Sequence, residues 1–451
     1  MIDDNPVCPI DYRYGRDEVK QIFGEQSKLQ YLLDVEAALA RAHAKVGNIP
    51  QKDADEITKK ATIQYVKVNR VKEIERDTRH DIMAVTQALN EVCSGDAGKY
   101  IHLGATSYDI VDTANALQFA DGLKHLRAGL KDLRNAMLKL AKEHKKTVMP
   151  GRTHGQFSIP TTFGLKMAVY ALEVERHLER LFESSSRILV GKMSGAVGTG
   201  AALGDKALEI QQIVMQELKL GVEEGATQIV GRDRYVELLS LLANIAASME
   251  KFATEIRNLQ RSEIGEAAEA FETKKQVGSS TMPHKQNPIL SEQVSGLARV
   301  VRCMVIPSYE NAIQWHERDL CNSSAERFII PHALVLTDWI VYQMNRVFTH
   351  LKVYPDKMKE NLKNSRGLPM AESIMTQLVG KGMGRGVAHE LMRNSAMEAI
   401  ARDTDLKTIL LEKKEVTILL TEKEVDSALK PDNYIGVAPI IVDRIIQKLT
   451  H

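Results

Sequence analysis

The sequence predicts a nearly all-α protein built around a bundle of long helices. Three observations predict it. Proline is absent from 51–149 and again from 161–282, and a chain without helix breakers can stay helical for many turns. Within those stretches apolar residues step by three and four. Leu123, Leu126, Leu130, Leu133, Met137 and Leu140 form one seam, and Tyr235, Leu238, Leu242, Ile245, Met249, Phe252, Ile256 and Leu259 form another. Seams of this period suit helices packed at about 20°. No series of β-branched runs with period two is evident.

The 451 residues allow two or three domains with a large core. Breaks suggest an N-terminal helical domain over 1–105, ending after the small-residue stretch Ser94–Gly98, and a central long-helix bundle over 106–354. A C-terminal helical domain over 355–451 is punctuated by Gly367, Pro369, Gly380 and Pro431. The clusters around Gly198–Gly204 and Gly380–Gly386 look like nucleotide loops. Neither has the required spacing nor follows a predicted strand, so both are read as turns between helices.

Lys+Arg is 60 and Asp+Glu is 59. That balance argues against a general nucleic-acid binder or a membrane-surface protein, although a local basic pocket for one small anion stays open. Cys8, Cys93, Cys303 and Cys321 form no CxxC pair, so neither a zinc site nor a disulfide framework is expected, and a reducing cytoplasm is. The N-terminus carries no signal-peptide pattern, and no run approaches the length of a membrane span.

The chemistry concentrates in the string Gly278-Ser279-Ser280-Thr281-Met282-Pro283-His284-Lys285-Gln286-Asn287-Pro288, which lies between two helical patterns. Small residues at its start give it freedom. Serine, lysine and asparagine supply a base or nucleophile, a fixed cation and an amide. A bare Gly-Ser-Ser loop is usually a solvated connection, but the whole string resembles the signature of the fumarase/aspartase superfamily, whose members eliminate fumarate from succinyl compounds. The resemblance implies a three-domain helical fold with its long-helix bundle packed into a homotetramer. It also implies a reaction without metal or cofactor. A base removes a proton beside a carboxylate, cationic and N–H donors stabilise the dianion, and an acid protonates the leaving nitrogen. Ser279 is then the base, Lys285 stabilises the carbanion, and Ser280 and Asn287 hold carboxylates.

Further strings extend the resemblance. Gly151-Arg152-Thr153-His154-Gly155-Gln156 precedes a helical stretch expected from about Pro160, which puts it at a helix entrance. It is similar to the family's general-acid region, so His154 is expected to protonate the leaving nitrogen, paired with Glu292; a structural turn is the plain alternative. Phe157 departs from the histidine that many relatives carry there. Thr78-Arg79-His80-Asp81 and His102-Leu103-Gly104-Ala105-Thr106-Ser107-Tyr108-Asp109 could be simple helix caps, Thr106 or Ser107 being a natural N-cap. By resemblance Arg79, His80, Asp81, Thr106 and Ser107 line the substrate site, His80 counting also among the catalytic groups, and His102 is a further polar contact.

Two strings point to a subgroup. Trp315–Arg327 and the dipeptide Arg13-Tyr14 resemble the adenylosuccinate lyases. The resemblance places Arg13, Tyr14, Arg318, Ser323 and Arg327 around a 5′-phosphate, and Gln228 at another substrate position. Guanidiniums and hydroxyls make a good dianion site. A surface salt-bridge helix is the competing reading, because Glu317, Asp319 and Glu326 alternate with the arginines. Expected substrates are succinylated purine nucleotides, adenylosuccinate and the succinyl-carboxamide ribotide, at sites shared between chains of a tetramer. Another superfamily lyase, such as argininosuccinate lyase or class II fumarase, and a catalytically silent structural relative are the alternatives.

Overall fold

The computed structural model describes residues 6–271, 281–282 and 284–450. Among them the chain is mostly helical and falls into two compact units. Unit 1 comprises Met1–Leu130, His177–Glu250 and Val294–Tyr342; unit 2 comprises Lys131–Arg176, Lys251–Gln293 and Gln343–His451. The divisions fall inside long helices rather than in loops.

In unit 1, helix α1 (Glu25–Lys45) presents a stripe of Leu29, Leu32, Glu36, Leu39 and His43, all buried. The three-four spacing makes one face, and its two polar members both find partners described below. Helices α2 (Val68–Thr78) and α3 (Asp81–Val92) pack as a pair. The chain reverses through Arg79, whose φ of 54° is left-handed.

Helix α4 (Ser107–Glu143) has 37 residues, about 55 Å at 1.5 Å per residue. Its seam from Leu123 to Leu140 is buried as the periodicity predicts. Its entry is closed by the Thr106 N–H, which donates to Asp109 Oδ2 at 2.8 Å. Asp109 is fully buried, pairs with Lys192, and accepts the Ser194 and Gly195 N–H groups at 3.0 Å each. It therefore ties the glycine-rich loop to α4. Gly198 cannot carry a side chain there, because a Cβ would lie 1.8 Å from the Ala226 carbonyl oxygen. The Gly380–Gly386 cluster is a turn between helices, as expected, whereas the Gly198–Gly204 cluster bends into a 3-10 helix over Ala201–Lys206, entered through Gly200 at a left-handed φ of 64°.

Residues 148–162 correct the reading of that segment as a helix entrance at Pro160. Strands β1 (Val148–Thr153) and β2 (Gln156–Thr162) form an antiparallel hairpin, and helix α5 (Phe163–Ile188) starts only after it. Pro150 and Pro160 face each other across the hairpin next to a register shift, where a missing N–H is tolerated. Gly151 is required, since a Cβ would meet the Ile159 carbonyl oxygen at 2.3 Å. Still in unit 2, Arg152 forks onto the fully buried Glu266 at 2.9 and 2.6 Å.

Helix α6 (Asp233–Leu259) buries the whole seam from Tyr235 to Leu259. Helix α7 (Ile289–Cys303) starts after Pro288 as predicted, and helix α8 (Cys321–Thr349) runs through Pro331. The C-terminal helices close a core of Ile374, Leu378, Met392, Leu406, Ile409 and Leu410. All four cysteines are free. Among the described residues, no helix is long and apolar enough to cross a membrane.

Candidate active site

Unit 1 gathers most of the anion-binding candidates. Three residues before α8, Arg318 lies part-buried with its guanidinium carbon 3.5 Å from the centre of the Tyr108 ring. Its Nη1 donates to Gln228 Oε1 at 2.8 Å. Its Nε and Nη2 are buried without an acceptor among the described residues. A buried, unused guanidinium N–H is costly, and two on one side chain make a site that favours an oxyanion. The Tyr108 hydroxyl bonds with Ser323, and burial raises Tyr108 above the usual phenol range. One side chain thus stacks on one expected phosphate ligand and bonds to another.

Arg327 is half-exposed and donates from Nη2 to Asp81 Oδ2 at 2.6 Å. Asp81 also accepts the Ile82 N–H at 2.8 Å. Asp81, Ser323 and Arg327 share a cavity of about 350 Å³ with Lys28, Tyr108, Asn115 and Gln118, over an apolar floor. Burial, with Arg327 adding to it, lowers Lys28 against the opposing pull of Asp81, Glu75 and Glu25. The sequence reading missed Lys28, and it included Tyr108 in the His102–Asp109 string without giving it a role. Tyr108 stands next to the Thr106-Ser107 string, whereas nothing in the α1 pattern singles out Lys28.

His80 is the N-cap of α3. Its Nδ1 accepts the Met83 N–H at 3.3 Å, which leaves the proton on Nε2, 3.5 Å from the Ser107 hydroxyl. Arg79 is exposed beside it. His102 Nδ1 is 2.6 Å from Glu36 Oε1, a carboxylate the sequence reading did not single out. A glutamate on an apolar stripe was the available signal. At the N-terminus Arg13 is exposed, its Nε donating to the Tyr14 hydroxyl at 3.3 Å.

The remaining candidates belong to unit 2. His154 is exposed at the tip of the β1–β2 hairpin, not at a helix entrance. His154 and Gly155 have φ of 54° and 75°, the left-handed pair that a two-residue hairpin turn requires. Lys285 is exposed, Asn287 half-buried, and Glu292 exposed in the first turn of α7. Ser279 and Ser280 lie outside the described residues.

Residues 11–303 match the lyase family, and residues 367–445 match the family described as adenylosuccinate lyase C-terminus. The chain is 53% identical over 441 residues to the adenylosuccinate lyase of Pyrococcus horikoshii, covering 98% of this chain and 97% of that one. It is 49% identical to that of Methanocaldococcus jannaschii, over 98% and 96% of the two chains. Among solved structures, a fumarate lyase from Mesorhizobium sp. BNC1 superposes with a TM-score of 0.89 at 34% identity, covering 96% of this chain and 98% of that one. The 3-carboxy-cis,cis-muconate lactonizing enzyme from Pseudomonas putida does so at 0.89 and 31%, covering 98% and 99%. The fold is thus shared by proteins named for different substrates, while near half-identity along nearly the whole length is to proteins of a single name: the chain belongs to the adenylosuccinate lyase family.

Proposed function

We propose that this protein eliminates fumarate from adenylosuccinate to give AMP, and from the succinyl-carboxamide ribotide by the same β-elimination. Ser279 takes the proton beside the succinyl carboxylate, and the electron pair left on that carbon expels the nitrogen as the C–N bond breaks. His154, assisted by Glu292, gives the nitrogen its proton. Lys285 offsets the charge of the dianion, while Ser280 and Asn287 hold carboxylates. Arg13, Tyr14, Arg318, Ser323 and Arg327 bind the 5′-phosphate, and Arg79, His80, Asp81, His102, Thr106, Ser107 and Gln228 line the rest of the site.

The observation that carries this reading is Arg318, bonded to Gln228 and stacked on Tyr108, with two buried N–H groups that have no acceptor among the described residues. A lyase for argininosuccinate, malate or aspartate has no phosphate to satisfy them. The deciding measurement is fumarate release from the succinylated nucleotide and from its nucleoside. Turnover should fall steeply without the phosphate; equal turnover of both would reject the subgroup reading. Arg318→Ala should weaken nucleotide binding by about 2–4 kcal/mol, as for one side of a buried charge-assisted contact. The loss should nearly vanish for the nucleoside. Arg327 must exchange Asp81 for the phosphate, so Arg327→Ala should cost less, about 1–2 kcal/mol.

The working form is proposed to be a homotetramer with shared sites, arranged from the three segments 1–105, 106–354 and 355–451, acting in the cytoplasm. Exposed apolar side chains support self-association: Ile306, Tyr309, Ile313, Trp315, Leu320 and Phe328 are 57–75% exposed, a concentration that marks interfaces. If Ser279 and His154 of one site come from different chains, inactive Ser279→Ala and His154→Ala proteins refolded together should regain about a quarter of wild-type activity, by random mixing in a symmetric oligomer. A mixture that stays inactive while wild type refolds would reject the shared site.

A further inference from the structure

We propose that Glu36 is a positioning residue for the elimination: its buried carboxylate fixes the orientation of His102 and leaves the Nε2–H as donor to the anionic substrate. The proposal rests on the reading of His102 as a substrate contact.

Glu36 occupies the apolar stripe of α1, between Leu32 and Leu39, with its side chain 1% exposed. A carboxylate there is strongly unfavourable unless it is paired. The partner is His102, whose Nδ1 lies 2.6 Å from Glu36 Oε1. The other oxygen, Oε2, is buried without a partner among the described residues. The carboxylate is thus committed to one imidazole.

The loop that bears His102 is held from the same helix face. One heptad along α1, His43 Nε2 donates to the Leu103 carbonyl at 2.9 Å, while its Nδ1 accepts from the Asn48 amide at 3.0 Å. His43 is therefore the neutral Nε2–H tautomer, and burial lowers it further from protonation. His102 has the opposite environment. Burial works against its charge, but Glu36, helped by Asp109 on α4, outweighs burial and raises it. Asp109 is itself paired with Lys192. Two imidazoles against one helix are thus shifted in opposite directions, and of the two only His102 pairs with a carboxylate.

His102 keeps a left-handed φ of 63°, and its side chain is 17% exposed. Its Nε2 has no partner among the described residues, and Thr106 and Ser107 follow a few residues on. In the protonated imidazole, which Glu36 favours, Nδ1–H is given to Glu36 and Nε2–H is the donor that remains for a ligand. Glu36 is too deeply buried to meet the substrate, so it acts through His102.

The test uses the full-length protein, adenylosuccinate, and kcat and KM from about pH 6 to 9. Glu36→Gln keeps the size and an acceptor for Nδ1–H but removes the charge. Its kcat/KM should fall about tenfold near pH 8, equivalent to one pK unit in His102, and recover to within about twofold near pH 6. Glu36→Asp, which keeps the charge on a shorter arm, should keep the wild-type pH profile at a reduced rate. Adding Glu36→Gln to His102→Gln should cause no further loss. In ring-¹³C histidine NMR, the resonance that His102→Gln removes should titrate about one unit lower in Glu36→Gln. An equal loss at every pH, an undiminished loss in the His102→Gln background, or an unmoved midpoint would each overturn the proposal while leaving the lyase reading intact. A fully active His102→Gln would overturn the reading of His102 as a substrate contact, and this role for Glu36 with it.

Discussion

Ser279→Ala is expected to lower turnover by about 10³–10⁴-fold and to leave nucleotide binding nearly intact. A base acts on the proton in transit, whereas ground-state affinity comes from the phosphate and carboxylate contacts. The proton beside a carboxylate is only weakly acidic, so no other group substitutes for a missing base. Single-turnover kinetics with the nucleotide, together with equilibrium binding of AMP, separate the two effects. A near-normal rate would remove Ser279 from the role. His154→Ala should be comparably slow, because a poor nitrogen leaving group must receive a proton as it departs. That variant should recover with a substrate whose leaving group needs no proton, and a rate that stays low would show that His154 is not the acid. The hairpin supports the assignment in one respect: a two-residue turn between paired strands gives the imidazole a fixed base on an exposed tip.

Arg232→Met is expected to destabilise unit 1 by about 3–5 kcal/mol. Arg232 is buried at the centre of an ion cluster. It forks onto Asp112 at 2.8 and 2.9 Å and onto Glu326 at 2.7 and 3.2 Å, and stacks 4.4 Å from the centre of the Tyr235 ring. Burial opposes its charge, but Asp112, with Tyr235 and Glu326, holds it firmly protonated. Methionine would fill most of the space yet leave two buried carboxylates facing each other. The loss should therefore arise chiefly from those uncompensated charges. The triple variant Arg232→Met, Asp112→Leu, Glu326→Leu should regain much of it, since apolar replacement of a whole buried ion group is often neutral or better. Urea denaturation of the single and triple variants tests this. A single variant as stable as wild type would show that the cluster contributes little. Because Glu326 also lines the cavity with Ser323 and Arg327, the triple variant should be stable but weak in nucleotide binding.

The seams from Leu123 to Leu140 and from Tyr235 to Leu259 were legible in the sequence because a helix repeats every 3.6 residues. Each apolar residue therefore reports its own face without reference to the rest of the chain. The hairpin was not legible. Its strands are short, Pro150 and Pro160 read locally as breakers, and the pairing that tolerates them exists only once the two strands meet. Helix α8 shows the converse limit: it passes through Pro331, so a proline alone does not end a helix that its packing supports.

The site divides in the same way. The strings around Thr153-His154-Gly155, Gly278–Pro288 and Trp315–Arg327 carry the residue types proposed for the chemistry, because a short string can be read without knowing the rest of the fold. What each group is bonded to was decided by the tertiary structure. Arg327 meets Asp81 across 246 residues and His102 meets Glu36 across 66. Among the described residues Arg318 keeps two N–H groups without an acceptor although acidic residues flank it in sequence, because the fold stacks its guanidinium on Tyr108 and turns Nη1 to Gln228. By itself the sequence determined the mostly helical fold, the family, and the residue types available for an elimination. Only the folded chain decided which cation is neutralised and which stays open to an anion. Charge state and hydrogen-bond vacancy depend on burial and on partners brought in from distant segments, neither of which any local pattern encodes.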